Sequence, residues 1–173
     1  MEAGAPERIS GYINKNGISE LADLYKDIDL RDQKTLYGAL SVINSMTNNK
    51  FVIIIDEWDV LIRDEAANSS VQEEYINFLR GMFKGSEPTK YIELAFLTGI
   101  LPIKKLKTQS ALNNFDEYTM LYAGRLSPYI GFTEDEVRDI CDRYGRDFSQ
   151  VERGYDGYML GDCHGYNPRA VVN

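Results

Sequence analysis

The sequence is poor in the residues on which many metal and redox sites depend. Its 173 residues include two cysteines, Cys141 and Cys163, and one histidine, His164. Two cysteines are too few for a disulfide framework and form no zinc-ligand pattern. A single histidine excludes mechanisms that need two, and we interpret it as a loop residue. We therefore expect reduced thiols and a cytoplasmic protein.

Long apolar runs are absent, and positive charge is scarce. No apolar segment approaches the roughly 20 residues of a membrane span, and the first ten residues, MEAGAPERIS, do not resemble a signal peptide. The 27 Asp and Glu residues outnumber 19 Lys and Arg residues, which gives a net charge of −8. Such a surface repels phosphate backbones, so nucleic-acid binding by this chain is not expected. One basic cluster, Lys104, Lys105 and Lys107, either contacts phosphates or forms a solvated loop.

What the sequence does contain is the patterning of one packed domain, with 43% hydrophobic and 27% charged residues. Helical spacing predicts helices over residues 18–28, 31–48 and 71–83, and a capping-box sequence starts another at Thr133 that runs to about residue 144. Apolar runs predict strands at 51–55 and 92–98, with a weaker one at 117–122. Residues 1–17 are expected to form a weak helix or a flexible or capping arm, and the chain after 148 a short helix and loops.

The segment after the first predicted strand carries the clearest chemical pattern. Residues 51–55 (FVIII) are continuously apolar, which favours a parallel strand covered on both faces. They run directly into Asp56 and Glu57, the Walker B pattern of P-loop ATPases. Asp56 would hold Mg²⁺ through water and Glu57 would polarise an attacking water. Asp59 would add charge or support these groups, while the alternative is that the acids simply end a strand.

The second predicted strand ends in Thr98 and Gly99. In many nucleotide hydrolases a polar residue on the strand beside Walker B senses the γ-phosphate, and Thr98 fits that place, although Thr-Gly is also an ordinary turn. A phosphate loop requires GxxxxGK[ST], and none of the 14 glycines is followed by lysine. The pattern therefore supplies metal chemistry but no cradle for a nucleotide.

Six segments in order resemble the AAA-ATPase-like family of bacterial proteins, whose members often carry a PD-(D/E)XK-nuclease-like domain further along the chain. The resemblance covers about residues 18–173. It rests on residues 52–59 (VIIIDEWD), 97–103 (LTGILPI), 112–120 (LNNFDEYTM), 131–137 (GFTEDEV), 155–158 (YDGY) and 166–169 (YNPR).

The resemblance implies an α/β fold: a partial P-loop NTPase-like core, with a parallel sheet flanked by helices, that lacks the phosphate-loop strand. We divide the chain into the arm (1–17), this core (18–130) and a helical and Tyr/Gly-rich C-terminal segment (131–173). The implied cofactors are Mg²⁺ and ATP. Asn114 either bonds nucleotide or shapes a turn, and Arg125 is a candidate phosphate-sensing arginine. The segment 155–158 is expected to form a tight aromatic turn.

Family members place the phosphate loop and a strand before this region. Either the chain is cut after the phosphate loop or it is a naturally reduced relative, and its end at Asn173, just inside an expected helix, favours truncation. A missing strand would leave an apolar sheet edge open. We therefore expect a homo-oligomer through that edge, or coverage of the edge by residues 1–17.

Three functions are compatible with these patterns. The first is the Walker B and sensor portion of a Mg²⁺-dependent ATPase, which binds Mg-ATP only when a phosphate loop completes it and is inactive alone. The second is a non-catalytic protein-interaction module on a degenerate ATPase scaffold. The third is a metal-dependent nuclease with Asp56, Glu57 and Asp59 as ligands, which the acidic surface and the lack of a following lysine disfavour.

Overall fold

The computed structural model describes residues 9–64, 69–102, 112–154 and 157–172. Contacts divide the chain into two units, Met1–Phe115 and Asp116–Asn173. Across the described ranges, no helix has both the length and the apolar character that crossing a membrane requires. The three-part division at residues 17 and 130 stays a prediction, as does the cytoplasmic location.

The first unit combines helices with a pair of parallel strands. In chain order it contains α1 (Ile9–Leu24), α2 (Leu36–Thr47), β1 (Phe51–Ile55), α3 (Val60–Arg63), α4 (Ser69–Phe83), α5 (Pro88–Tyr91) and β2 (Ile92–Leu97). The mixed α/β class is therefore confirmed at this level. Buried side chains of α4, among them Leu79 and Met82, form the centre of the core together with Trp58 and Leu112.

The N-terminal helix corrects one expectation from the sequence. Residues 9–17, expected as a weak helix or an arm, belong to α1, which also includes most of the predicted helix 18–28 and ends at Leu24 rather than near residue 28. The reason is tertiary: Ile13 packs against the core, and the Ser10 hydroxyl donates a hydrogen bond to Glu74 of α4. α1 packs mainly on α2 and α4. Residues 9–17 are therefore part of the helical packing of the first unit. Edge-to-edge association of the sheet stays a prediction.

The two strands of the first unit expose one of their faces. They pair in parallel, with Val52 opposite Leu94 and Ile54 opposite Phe96. These four side chains form what we call the apolar sheet face, and Ile54 is 70% exposed. The alternate residues of β1 pack against the core. The expectation that both faces of β1 are covered is therefore wrong within the described residues, because an all-apolar strand hides its alternation in the sequence.

The second unit is an antiparallel sheet with helices around it. Its elements are a 3₁₀ helix (Gly124–Tyr129), β3 (Phe132–Thr133), α6 (Glu134–Tyr144), α7 (Phe148–Gly154), β4 (Tyr158–Leu160), β5 (Cys163–Tyr166) and α8 (Pro168–Val172), with strand order β3-β5-β4. The capping box of α6 is confirmed, since Thr133 and Glu136 bond each other's backbone N–H. His164, expected in a loop, lies in β5.

A third strand over residues 117–122 does not form. Thr119 and Tyr122 instead exchange two backbone hydrogen bonds, of 3.0 and 2.9 Å, and close a tight turn. With only two residues between them, this bridge cannot extend into a ladder. The aromatic turn predicted at 155–158 falls partly outside the described residues, but Tyr158 begins β4.

Candidate functional site

The carboxyl ends of β1 and β2 lie side by side, as parallel pairing requires. Past the last strand pair, the Thr98 N–H donates to the Ile55 carbonyl at 2.9 Å, and the Trp58 N–H donates to the Thr98 carbonyl at 2.9 Å. These bonds extend the pairing beyond the strands themselves. The acidic residues after β1 and the threonine after β2 therefore meet at one edge of the sheet, where α/β folds bind ligands.

Asp56 and Thr98 are in direct contact at this edge. The Thr98 hydroxyl donates a short hydrogen bond to Asp56 Oδ1. The Glu57 N–H lies 3.0 Å from the same oxygen and 3.3 Å from the Thr98 hydroxyl. Both side chains are therefore fixed by each other and by the backbone, while Asp56 stays exposed to solvent.

Glu57 occupies an unusual backbone position for a side chain of its size. Its φ angle is +50°, in the left-handed region that costs a non-glycine residue about 1 kcal/mol or more. The side chain is 67% exposed, and its Oε2 lies 3.8 Å from Nη2 of Arg63. Strain of this kind occurs where surrounding contacts hold the backbone in place.

Asp59 is buried and serves as a local anchor. Its Oδ2 accepts hydrogen bonds from the N–H groups of Ile100 at 3.1 Å and Leu101 at 2.7 Å, and from Arg63 Nε at 3.0 Å. Its side chain is 0% exposed, and Oδ1 has no hydrogen-bond partner among the described residues. Burial raises the pKa of the Tyr75 phenol, and the nearby Asp59 charge raises it further. Asp59 thus ties the turn after β2 to the turn after β1.

Gly99 is needed where these two turns cross. A Cβ atom at this position would lie 2.7 Å from Asp59 Oδ1 and 2.7 Å from the indole ring of Trp58. Both groups are buried, so neither has space to move away. The Thr-Gly pair that ends β2 is therefore a packing requirement of the site, as well as a turn.

The donor set at the strand ends suits Mg²⁺ in part. The Asp56 carboxylate and the Thr98 hydroxyl are oxygen donors of the kind that Mg²⁺ prefers, and this ion keeps most of its water. Asp59, however, points into the protein. In the part of the chain that the structure describes, no three acidic, histidine or cysteine side chains converge. The arrangement fits one carboxylate and water better than the three-carboxylate nuclease alternative.

Asn114 and Arg125, two further candidates from the sequence, each bond other residues. The Asn114 side-chain amide donates to the Phe83 carbonyl at 3.0 Å, which is a structural bond at the end of α4. Arg125 belongs to the second unit, where its Nε donates to the Tyr118 hydroxyl at 2.8 Å. Their nucleotide roles stay predictions. Lys104, Lys105 and Lys107 lie outside the described residues.

Sequence reasoning missed Arg63, which contacts Glu57 and the following acid, Asp59. The only available signal was its spacing of four residues from Asp59, which a helical turn converts into contact.

Fold and site together define the class: a mixed α/β chain whose parallel strands bring a Walker B-like acidic pair against a threonine. A family model described as "Predicted AAA-ATPase" matches residues 6–108. That is more than half of the chain, which therefore belongs to this AAA-ATPase-like family. The resemblance noted from sequence is thereby confirmed.

A curated relative extends the comparison beyond the family model. It is an uncharacterized protein in the vnfD 5′ region of Azotobacter chroococcum mcd 1, 25% identical over 142 residues. The match covers 80% of this chain and 27% of the relative, so the chain spans about a quarter of the relative's length. No solved structure matches the chain.

Proposed function

We propose that the strand ends form the magnesium and γ-phosphate side of an ATP-hydrolysing site. Asp56 binds Mg²⁺ through water, Glu57 polarises the attacking water, and Thr98 senses the γ-phosphate. The observation that carries this proposal is the direct contact between the Thr98 hydroxyl and the Asp56 carboxylate. It joins the two residue types that nucleotide hydrolysis needs at one end of a parallel strand pair.

The same proposal requires a phosphate-binding loop that these 173 residues do not supply. The 173 residues contain no GxxxxGK[ST] sequence, whose backbone N–H groups and lysine hold the phosphates in P-loop enzymes. We therefore infer that this chain by itself binds a divalent cation weakly and does not turn over ATP. Hydrolysis requires a phosphate loop to complete the site.

We expect Mn²⁺, used as a paramagnetic substitute for Mg²⁺, to broaden the amide NMR signals of residues 55–58 and 98 at millimolar concentration. Asp56→Asn should abolish this broadening because it removes the carboxylate charge. Glu93→Gln is the matched control: Glu93 is an exposed acid in β2 that pairs with Lys50 before β1, at the other end of the strands. Broadening that survives Asp56→Asn would contradict the assignment.

ATP turnover tests the second half of the proposal. We expect none from the 173-residue chain and measurable turnover from a chain extended upstream to include a phosphate loop. In the longer chain, Glu57→Gln should lower kcat by about 100-fold or more, because the positioned base is lost. Robust turnover by the short chain would contradict the need for a phosphate loop, and insensitivity to Glu57→Gln would contradict the role of Glu57.

One observation favours a second candidate, a protein-interaction module on the same scaffold. The apolar sheet face leaves Val52, Ile54, Leu94 and Phe96 about half exposed or more, and exposed apolar patches commonly mark interaction sites. The melting temperature of the chain that includes a phosphate loop, measured with and without Mg-ATP, distinguishes the two candidates, since a bound ligand raises the melting temperature. Absence of any shift there would favour the module.

A further inference from the structure

We propose that Arg63, clamped by the buried Asp59, is the positioning residue of Glu57: it holds the glutamate in a resting position and releases it when a divalent cation binds. This inference rests on the proposed function, since it concerns the same metal site. It adds a residue outside the metal site itself: the Arg63 guanidinium pairs with the Glu57 carboxylate until a metal ion binds.

The geometry of the guanidinium carries the first step. Arg63 is the last residue of α3, and its side chain is 29% exposed. Its Nε donates to Asp59 Oδ2 at 3.0 Å, whereas its Nη2 lies 3.8 Å from Glu57 Oε2. Because the guanidinium is planar and rigid, fixing Nε against Asp59 also fixes the direction in which Nη2 points. Arg63 therefore reaches Glu57 from a fixed base.

Burial decides which of the two contacts gives way. The Asp59 side chain is 0% exposed and the Glu57 side chain is 67% exposed. Ion pairs in solvent are weak and screened, but removing one partner of a buried pair is costly. A competing cation therefore displaces the Arg63–Glu57 contact and leaves Arg63–Asp59 in place.

The backbone of Glu57 limits the movement to its side chain. Its N–H is bound to Asp56 Oδ1 at 3.0 Å, and the next residue, Trp58, is bonded to the Thr98 carbonyl. The main chain on both sides of the glutamate is thus held by the strand ends. Release from Arg63 is a rotation of side-chain bonds that carries the carboxylate toward an ion on Asp56.

A positive charge in this position also opposes the arrival of a metal ion. Removing it should strengthen cation binding by a factor on the order of three, the size expected for one partly solvated charge several ångströms away. Part of the effect is this direct repulsion, and part should pass through Glu57, because that carboxylate is the group for which Arg63 and the metal ion compete.

The experiment compares Mn²⁺ affinities of variants of the 173-residue chain, from broadening of the Asp56 amide signal. Arg63→Gln should tighten binding about threefold, and Arg63→Lys, which keeps the charge, should restore most of the wild-type affinity. Lys50→Gln is the matched control, since it removes the same charge from an exposed pair with Glu93 and should leave the affinity unchanged. In a Glu57→Gln background, the gain from Arg63→Gln should be smaller, because only the direct repulsion between Arg63 and the metal ion remains.

Each result decides the proposal. An Arg63→Gln affinity equal to wild type, or a gain that is equally large without the Glu57 carboxylate, overturns it while the metal site stands. Absence of Mn²⁺ binding by the wild-type chain overturns the proposed function, and this inference falls with it. If Arg63→Gln does not fold, the wild-type chain gives the answer: on Mg²⁺ addition the Arg63 Nε–H signal should stay protected from exchange while the Glu57 side-chain signals shift. Loss of that protection would refute the clamp.

Discussion

Asp59→Ala is expected to lower the free energy of unfolding of the first unit by about 3 kcal/mol or more. The substitution leaves the Arg63 guanidinium without its buried partner and deprives the Ile100 and Leu101 N–H groups of their acceptor. Urea denaturation followed by Trp58 fluorescence measures the loss, since Trp58 is the only tryptophan and is itself buried.

Asp56→Ala provides the comparison within the same turn. Asp56 is exposed, and its removal costs the hydrogen bonds from Thr98 and the Glu57 N–H, about 1 kcal/mol on the usual scale for such bonds. A loss at position 59 no larger than the loss at position 56 would show that Asp59 is not an anchor of the two turns.

Gly99→Ala should destabilise the first unit by about 1–3 kcal/mol, the usual cost of adding a methyl group to a packed site. The new Cβ would lie 2.7 Å from both the Asp59 carboxylate and the Trp58 ring, so the turns must separate. We expect a red shift of the Trp58 emission and a lower urea midpoint. The separation should also weaken Mn²⁺ binding, because Thr98 directly precedes the altered residue.

Gly154→Ala serves as the control for this substitution. Gly154 ends α7, and an added Cβ there meets no atom within 4 Å. The free energy of unfolding of the Gly154→Ala variant should stay the same or rise slightly, since alanine reduces the conformational freedom of the unfolded chain. Equal effects at positions 99 and 154 would show that the crossing of the turns is less tight than described.

Local sequence patterns were sufficient for the parts of the fold that local physics controls. The strand at 51–55, the start of α6 at Thr133 and the helix that ends at Phe83 follow from apolar runs, capping and periodicity. The meeting of Asp56 with Thr98 also followed, because parallel strands joined by a helix must end at the same edge.

What the sequence did not reveal depends on contacts between distant residues. The antiparallel sheet of the second unit joins Phe132 to Tyr166 and Tyr158 to Gly165, through segments too short to show a strand pattern. The exposure of Val52 and Ile54 is equally invisible in an all-apolar run. From the sequence, Asp59 was expected to add charge or to support Asp56 and Glu57, and only the turn after β2 makes it a buried anchor.

The left-handed backbone of Glu57 lowers the stability of the folded chain, while the same residue supplies the carboxylate beside Asp56. Glycine or asparagine adopts such a conformation with little strain, so either residue would suit position 57 better than glutamate does. A screen that rewards only resistance to heat would therefore favour loss of the carboxylate beside Asp56. Under the role proposed for Glu57, the most stable versions of this protein would be the ones least able to activate a water molecule.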